Sequence, residues 1–203
     1  MAFVYIFQSR EENYFKIGRT KNDVEKRRKA LSTGNPKELK LFDLIEKDFD
    51  SDVENYLHKR FFMNYSKEGD SRVLYIIEKN ELKLGILDAR EYEKKIIPIK
   101  HKAIQNSSLE SNGKYINHND AILELTKELF EVKGQINWLK IKNDILESRL
   151  KNIIGSNEGI RGVASWKTVS RVDFNKSNFK NEHPELHDEF LEEKNIRTFK
   201  LLI

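Results

Sequence analysis

Phe3-Val4-Tyr5-Ile6-Phe7 and Tyr14-Phe15-Lys16-Ile17-Gly18 are the two stretches of sequence that decide the fold of the N-terminal half. Both are rich in aromatic and β-branched residues, which favour strands. The polar residues 9–13 lie between them. Two such runs joined by a short polar segment predict a β-hairpin, here with a loop somewhat longer than usual.

Capping and turn residues outline the rest of a small domain. Asn22 or Asp23 can cap a helix that runs to about Leu31, and Thr33-Gly34-Asn35-Pro36 stops it. The elements predicted after it are a strand at Leu39 to Glu46, a helix at Asp52 to about Asn64 capped by Asp50 or Ser51, a strand at Val73 to Ile77 and a helix at Glu81 to Glu93. Residues 1–97 therefore predict an α+β domain, with a mixed or antiparallel sheet of about three to four strands and flanking helices.

The central part of the chain contains two segments that differ in their pattern of apolar residues. Residues 98–118 lack a periodic apolar pattern and are predicted to be a linker. Residues 119–156 carry apolar side chains at steps that alternate between three and four. Written as heptads, the a and d positions hold Ile122, Leu125, Leu129, Val132, Ile136, Leu139, Asn143, Leu146, Leu150 and Ile153. This regular seam indicates a long coiled-coil helix.

Asn143 interrupts the apolar seam at an a position. A single buried Asn there typically fixes the register and favours a parallel dimer, so residues 119–156 predict a homodimer. Gly134 costs the helix roughly 1 kcal/mol relative to Ala without breaking it. A single amphipathic helix packed on its own domain remains the alternative.

Residues 157–203 predict a small α+β unit after the coiled coil. Gly155 and Gly159 end the long helix. A strand at Val163 to Val169, a helix at about Lys176 to Glu193 and a strand at Arg197 to Ile203 are expected to follow. Because a unit of this size cannot build a large core alone, we expect it to lean on the coiled coil.

Composition excludes several classes of protein. The 203 residues contain no cysteine, which excludes disulfides and thiolate metal sites. No apolar run approaches the ~20 residues that span a bilayer, and no signal peptide precedes the first strand, so a cytoplasmic protein without a membrane partner is expected. The net charge is +4, and positions 19 to 40 hold eight basic but three acidic residues. This concentration is compatible with a nucleic-acid partner.

The N-terminal unit resembles the GIY-YIG nucleases. That family has a tripeptide ending in Tyr on one strand, a tripeptide ending in Gly on the next, an Arg in the following helix and a Glu in a later one. Phe3-Val4-Tyr5, Lys16-Ile17-Gly18, Arg27 and Glu54 stand at these places. With Thr33-Gly34-Asn35-Pro36 and Glu54-x-x-x-His58, residues 2–78 are similar to the phage branch of the family, which is often labelled a DNA-binding domain.

The chain departs from the family pattern in two places. Lys16 replaces the Tyr of the second tripeptide, as in some restriction-enzyme relatives. Ser71-Arg72-Val73-Leu74-Tyr75 stands where the phage branch has a Gly-Glu-Trp-Phe-like strand, which weakens any carry-over beyond Glu54. Gly18 matches, and is expected to serve the backbone through a close approach or an unusual dihedral.

The resemblance implies a metal-dependent DNA endonuclease, and its chemistry suits these residue types. Glu54 is a hard oxygen ligand for Mg²⁺ (or Mn²⁺). Arg27 offers a planar cationic fork that matches a phosphate. Tyr5 is expected to orient or deprotonate the attacking water, with Lys16 as the nearby cation that assists it. His58, one helical turn after Glu54, is a candidate proton shuttle or outer metal partner.

Other basic residues are expected to contact DNA, namely Arg19, Lys21, Arg28 and Lys29 in the N-terminal unit and Lys167 and Arg171 in the C-terminal one. The C-terminal unit is similar to the tail of YqaJ-type phage recombinase nucleases in Ala164-Ser165-Trp166-Lys167, Arg171-x-Asp173, His183-Pro184-Glu185-Leu186 and Arg197-x-Phe199-Lys200. The alternatives are that Trp166 and Phe199 form the core of a tiny domain, or that the unit docks a protein.

These observations predict a homodimeric, Mg²⁺-dependent DNA endonuclease in phage- or prophage-associated DNA processing, in which two tethered sites can cut both strands. A second hypothesis is a non-catalytic DNA-binding or adaptor protein that keeps the fold. The presence of a metal-type carboxylate at Glu54, beside basic residues, argues against it. A third hypothesis is an interaction protein built around the coiled coil, with the N-terminal domain used for targeting.

Overall fold

The computed structural model describes residues 2–9, 13–33, 39–47, 50–66, 74–194 and 196–202. The chain divides into two compact units, Met1–Leu109 and Glu110–Ile203. The division lies within the stretch predicted as a linker. Each unit is described by itself below.

The first unit is an antiparallel sheet with helices around it. Its elements are β1 (Ala2–Gln8), β2 (Tyr14–Thr20), α1 (Val24–Ser32), β3 (Lys40–Lys47), α2 (Asp50–Arg60), a 3-10 turn (Phe62–Asn64), β4 (Tyr65–Ser66), β5 (Leu74–Ile76), α3 (Lys79–Lys95) and α4 (Ile97–Ser107). The strand order is β3-β1-β2-β5-β4, and every neighbouring pair is antiparallel. The α+β class and the first hairpin are confirmed, and β4 adds a fifth strand that the sequence did not reveal.

Strand β1 is an interior strand, between β3 and β2, and its side chains point alternately to opposite faces of the sheet. Val4 and Ile6 enter a large apolar cluster with residues of α2 and α3. Tyr5 and Phe7 enter a smaller one with Leu31 and Leu39. The larger cluster comprises Val4, Ile6, Phe15, Ile17, Ile45, Val53, Leu57, Phe61, Tyr75, Ile77, Leu82, Ile86, Ala89 and Ile97. The sheet is therefore covered on both faces near its centre.

The boundaries of the first two helices differ slightly from those predicted. Asp23 caps α1 by accepting a hydrogen bond of 2.8 Å from the Lys26 amide, as expected for a helix N-terminus. Helix α2 begins at Asp50 itself and ends at Arg60, so the predicted end at Asn64 is wrong. The chain tightens there into the 3-10 turn. The residues that follow Arg60 instead bring the buried Phe61 ring against Gly85 of α3, where a Cβ would overlap that ring.

Helix α4 occupies part of the predicted linker, so the expectation of an unstructured stretch from residue 98 is wrong. A proline in the first turn is compatible with a helix, because its missing N–H has no intrahelical partner there. Ile97 is fully buried in the larger cluster. The Asp52 carboxylate on α2 lies 3.2 Å from Nζ of Lys100 and 3.5 Å from Nε2 of His101. Burial of Ile97 and the charged contacts with Asp52 therefore stabilise helix α4, although its sequence shows no periodic apolar pattern.

The second unit is dominated by α5, an unbroken helix from Asp120 to Ile154. The Asn119 side chain accepts a 2.9 Å hydrogen bond from the Ile122 amide and caps its start. Gly155, at φ 57°, ends it in a conformation that glycine adopts without a Cβ penalty. The prediction of one long helix over this segment is confirmed, and Gly134 does not interrupt it.

The C-terminal residues form less regular structure than predicted. The strand expected from Val163 shrinks to β7 (Ala164–Ser165), which pairs with β6 (Gly159–Ile160). The expected helix divides into α6 (Lys176–Glu182) and α7 (Pro184–Glu189), because proline at the start of the second helix disfavours helical geometry in the residue before it. Described residues 196–202 contain no strand, so the predicted final strand is wrong there.

The C-terminal unit has a very small interior. Among its described residues, only Ile154 and His187 are buried. Trp166 is 48% exposed and Phe199 is 75% exposed, so these two aromatics are not the core of a tiny domain. No helix in the described part of the chain combines the length and the apolar character that a membrane span requires.

Candidate active site

The first unit has a cavity of about 620 Å³ that is open to solvent and lined from three directions. The hairpin β1–β2, helix α1 and helix α2 all contribute side chains. The lining residues are Tyr5, Lys16, Ile17, Gly18, Arg19, Arg27, Ala30, Leu31, Glu54 and His58. The five residues predicted to be catalytic are therefore brought together around one cavity.

Tyr5 is placed by strand pairing and by aromatic packing. It lies opposite Gly18 in the β1–β2 register. Its ring is 1% exposed and stacks on Phe7 with a centroid distance of 4.4 Å. The hydroxyl oxygen accepts a hydrogen bond of 3.3 Å from Nε of Arg27, which reaches it from α1. The buried ring thus holds its hydroxyl at the cavity in a fixed position.

Gly18 is required by the position of the Tyr5 ring. A Cβ on residue 18 would overlap the Tyr5 hydroxyl oxygen and stand 2.7 Å from its Cζ. Such an approach is far inside van der Waals contact. The close approach, one of the two roles predicted for this glycine, is the one that the structure contains.

Lys16 and Arg27 supply positive charge to the same cavity. Lys16 lies opposite Phe7 across the hairpin, and so on the face that carries Tyr5 and Gly18. Arg27 is exposed. Its contact with the Tyr5 hydroxyl is made by Nε of the guanidinium. Guanidinium donors that point to solvent can bind a phosphate oxygen.

Glu54 is the carboxylate at this cavity, and two neighbouring groups lie beside its oxygens. One oxygen is 3.1 Å from Nε of Arg19 on β2, and the other is 3.6 Å from Nε2 of His58. The Glu54 side chain is 19% exposed and that of Arg19 is 47% exposed. Arg19, expected to contact DNA, therefore lies within reach of the predicted metal ligand, which the sequence did not indicate.

His58 is held from its other side by a residue that the sequence analysis did not single out as functional. Its Nδ1 lies 2.5 Å from the hydroxyl of Tyr75 on β5. Burial raises the pKa of Tyr75, and the charges of Tyr65 and Glu54 raise it further, so the hydroxyl keeps its proton at neutral pH. The aromatic residue in the predicted strand was the available signal, but its proximity to α2 could not be read from spacing.

The residues around Glu54 fit a hard divalent cation bound mainly by water and phosphate. The described residues contain no cluster of three or more His, Asp or Glu that could enclose a metal. Mg²⁺ usually keeps several waters and binds through one or two carboxylates plus substrate phosphates. A single partly exposed carboxylate beside the cationic side chains of Lys16 and Arg27 fits that description.

The other residues predicted to contact DNA differ in whether their side chains form hydrogen bonds within the protein. Lys21 and Lys29 are exposed. Arg28 is engaged within the protein, since its Nη1 donates to the Leu39 carbonyl at 2.9 Å and its Nε to Glu25 at 2.9 Å. These bonds tie α1 to the start of β3, which argues against the expected DNA contact of Arg28.

Lys167 and Arg171 belong to the second unit. Lys167 is 3.3 Å from Glu158, and Arg171 pairs with Asp173 at 2.7 Å. All four side chains are well exposed. Exposed pairs of this kind are weak and can be exchanged for a phosphate, so the two residues keep their predicted role only as a hypothesis.

Comparison with known protein families finds a match over the segment that holds the cavity. Residues 2–86 match the T5orf172 domain. This family is associated with nuclease-related domains of the GIY-YIG and HNH kind. Every residue that lines the cavity falls within the matched segment. No curated protein and no solved structure gives a significant match.

The T5orf172 match suggests a phage-type nuclease or DNA-binding function. It covers the first unit up to α3 and leaves the long helix and the tail outside. The finer resemblances, to GIY-YIG nucleases and to a YqaJ-type tail, remain predictions from the sequence.

Proposed function

We propose that the T5orf172 domain hydrolyses phosphodiester bonds of DNA, with Glu54 as the protein ligand of Mg²⁺ or Mn²⁺. The observation that carries this proposal is the convergence of Tyr5, Lys16, Arg27, Glu54 and His58 on one cavity. These residues come from two strands and two helices. The apolar and polar faces of a single helix, or the alternation of a single strand, therefore cannot explain why they lie together. An acid, a phenol, an imidazole and two cations suit phosphoryl transfer.

The cations have a defined task in this scheme. Lys16 and Arg27 bind the phosphate of the scissile bond and stabilise the charge that grows on its oxygens. Arg27 also holds the Tyr5 hydroxyl at 3.3 Å. Glu54 would hold the metal ion, which when bound would supply Lewis-acid stabilisation of that same charge.

Tyr5 orients the attacking water through its hydroxyl. The buried ring cannot swing away, because Phe7 and Gly18 enclose it. The Arg27 guanidinium donates to the phenol oxygen at 3.3 Å, which fixes the direction of the hydroxyl that hydrogen-bonds the attacking water. Positioning of this kind accounts for a large part of catalysis in phosphoryl transfer.

His58 presents its Nε2 atom on the side of Glu54, where it serves as a hydrogen-bond donor toward the cavity. The protonated hydroxyl of Tyr75 can donate to Nδ1, which leaves the hydrogen of a neutral imidazole on Nε2. That atom lies 3.6 Å from a Glu54 oxygen. Tyr75 is thus a positioning residue that selects the tautomer of His58.

A second function, DNA binding without cleavage, is favoured by one specific observation. Arg19 lies 3.1 Å from Glu54 and neutralises it in the absence of a metal. In that case Glu54 would serve to hold Arg19 in the cavity wall. The cavity would then bind phosphate through Lys16 and Arg27 alone.

Cleavage of supercoiled plasmid and branched DNA in Mg²⁺, Mn²⁺ or EDTA separates the two functions. The Glu54→Gln variant keeps the size of the side chain, and we expect it to lower metal-dependent cleavage by at least about 100-fold, a loss typical when a charge-stabilising group at a transition state is removed. Glu91→Gln is the matched control, since Glu91 is 70% exposed and pairs with Lys95 away from the cavity. Equal DNA binding with no cleavage by any of the three proteins would establish the binding function instead.

A further inference from the structure

Helix α5 exposes an apolar seam along its whole length. The a and d positions hold Ile122, Leu125, Leu129, Val132, Ile136, Leu139, Asn143, Leu146, Leu150 and Ile153. Leu125 is 66% exposed, Leu139 60% and Ile153 71%. Exposed large apolar side chains at heptad spacing mark a surface that another helix covers.

The described part of the second unit offers no helix long enough to cover this seam. Its other helices, α6 and α7, have seven and six residues. Helix α5 has 35 residues and is about 52 Å long at a rise of ~1.5 Å per residue. An occupant of matching length with its own heptads is needed, and a second α5 meets both conditions.

We propose that α5 pairs with α5 of a second copy of this chain, parallel and in register. Two independent features of the helix select this arrangement over other pairings. One is the polar residue in the seam, and the other is the charge of the flanking e and g positions. The proposal concerns assembly and does not depend on the function of the T5orf172 domain.

Asn143 is the one polar residue among the described a and d positions. In a parallel, in-register pair it faces Asn143 of the second copy, and the two amides can hydrogen-bond across the seam. In an antiparallel pair with full overlap it faces Val132, which leaves a buried amide against a hydrocarbon side chain. Its present partner is exposed Glu147 of its own helix, at 2.9 Å, and the Asn143 amide can exchange this bond for the pairing.

The flanking charges favour the same arrangement. A parallel dimer places each g residue beside the e residue five positions later in the second helix. Glu128 then meets Lys133, and Lys142 meets Glu147, so both charged pairs have opposite signs. Lys133 already lies with its Nζ 5.5 Å from the Phe199 ring, a contact that leaves its charge available.

An antiparallel dimer pairs these residues less well. It brings e beside e and g beside g. By symmetry each pair occurs twice: Glu128 would meet Arg149, which is favourable, and Lys133 would meet Lys140, which is repulsive, so the two contributions oppose each other, whereas the charged pairs of the parallel dimer are all attractive. Charge complementarity therefore selects the parallel orientation, and it does so independently of Asn143.

A parallel dimer has a consequence for the first units. Both copies of Asn119, where α5 begins, lie at the same end of the coiled coil. Two T5orf172 domains are then joined to one end rather than to opposite ends. If the proposed nuclease function is correct, two sites are tethered close enough to act on one DNA molecule.

The charge pairing is tested on the full-length chain by analytical ultracentrifugation over a range of concentrations. The wild type is expected to be a dimer. Glu128→Lys places like charges opposite each other twice in a parallel dimer and should weaken dimerisation by about tenfold or more. Adding Lys133→Glu to it should restore the dimer. Lys133→Glu would also remove the Lys133–Lys140 repulsion of an antiparallel dimer, so Arg149→Glu is the discriminating second change. In a parallel dimer residue 149 lies beside Ile154, and Arg149→Glu should not restore the Glu128→Lys variant. Restoration by Arg149→Glu would overturn the parallel orientation.

A disulfide test reports the orientation directly, because the chain contains no cysteine. Leu125→Cys faces itself in the parallel, in-register dimer and should form a covalent dimer on mild oxidation. Ile141→Cys, at the outward-facing f position and 52% exposed, is the matched control and should remain monomeric on a denaturing gel. Cross-linking of Leu125→Cys only when mixed with Leu150→Cys would show the antiparallel arrangement.

A monomeric wild type at all concentrations would overturn the proposal and would assign the seam to another protein. A wild-type trimer or tetramer would overturn it as well. Circular dichroism of each variant separates loss of pairing from loss of helix. None of these measurements involves DNA cleavage, so failure of the dimer proposal can be distinguished from failure of the proposed nuclease function.

Discussion

The ring of Tyr5 occupies the space in which the Cβ of any residue other than glycine at position 18 would lie. The two residues face each other across β1 and β2, and a Cβ at position 18 would stand 2.7 Å from the Tyr5 Cζ. The hairpin therefore does more than supply strands. It places a buried phenol at the cavity, and the absence of a side chain at position 18 sets how deep that phenol sits.

Gly18→Ala should displace Tyr5 and destabilise the first unit. Overpacking of a filled site costs about 1–3 kcal/mol, and we expect a loss in this range in urea unfolding of the first unit. Gly134→Ala is the control, because a Cβ there meets nothing within 4 Å on an exposed helix. That variant should leave the first unit unchanged and stabilise α5 by roughly 1 kcal/mol. Equal stability of Gly18→Ala and wild type would show that the ring can move aside.

Tyr75→Phe should slow cleavage without unfolding the domain. The variant removes the hydroxyl that lies 2.5 Å from His58, and loss of such an outer partner typically costs about 10–100-fold. Tyr65→Phe is the control, since Tyr65 packs edge-on against Tyr75 and is 48% exposed. A cleavage rate that falls only in step with the stability of the domain would indicate a purely structural role for Tyr75.

Arg19→Gln should strengthen metal binding in the absence of DNA. The guanidinium lies 3.1 Å from Glu54 and competes with a cation for the carboxylate. A unit charge about 4 Å away is worth about 1 kcal/mol in water-like surroundings, so the affinity for Mn²⁺ in calorimetry should rise about fivefold. Arg60→Gln is the matched control, because Arg60 is 44% exposed and pairs with Asp88 outside the cavity. Weaker metal binding by Arg19→Gln would place the cation elsewhere.

Acid should loosen α4 before it unfolds the rest of the first unit. Burial alone would raise the pKa of Asp52, but hydrogen bonds and charge from Lys100 and His101 outweigh it and lower that pKa below its usual value. A carboxyl with a lowered folded-state pKa stabilises the fold above its unfolded pKa, ~3.9, and loses this contribution as pH falls through the lower folded value. The rate of amide hydrogen exchange in α4, relative to the intrinsic rate at the same pH, should therefore rise at the acid end of this range.

Asp52→Asn removes the charge that titrates in α4. We expect it to cost about 0.2–1 kcal/mol at neutral pH, the range for partly exposed ion pairs, and to flatten the acid dependence of α4 exchange. Asp88→Asn is a suitable control, because Asp88 lies 3.9 Å from Arg60 and touches neither Lys100 nor His101. An unchanged acid dependence in Asp52→Asn would contradict this account of how α4 is held.

Spacing along the chain was enough to predict several features of the structure. The hairpin, the order of helices and strands up to α3, and the long helix α5 follow from period, caps and turn residues, because these depend on hydrogen bonds between near neighbours in sequence. The predicted catalytic residues also meet at one cavity. Their common location follows from the order of elements in an α+β domain.

Failures of prediction came where the structure rests on contacts between distant parts of the chain. The stretch from Ile97 showed no helical period, yet its burial and the pairing with Asp52 make it helical. A final strand was predicted at Arg197 to Ile203, but a strand also needs a neighbour to pair with, and the described residues 196–202 have no such ladder.

The sequence by itself determined which residue types face the cavity and that a long heptad helix follows the first unit. Only the tertiary structure decided that Arg19 lies against Glu54, that Tyr75 lies beside His58 and that Gly18 makes room for Tyr5. These contacts join β2 to α2, β5 to α2, and β1 to β2. Their geometry depends on how the helices pack on the sheet, and packing is set by the whole core rather than by any local pattern.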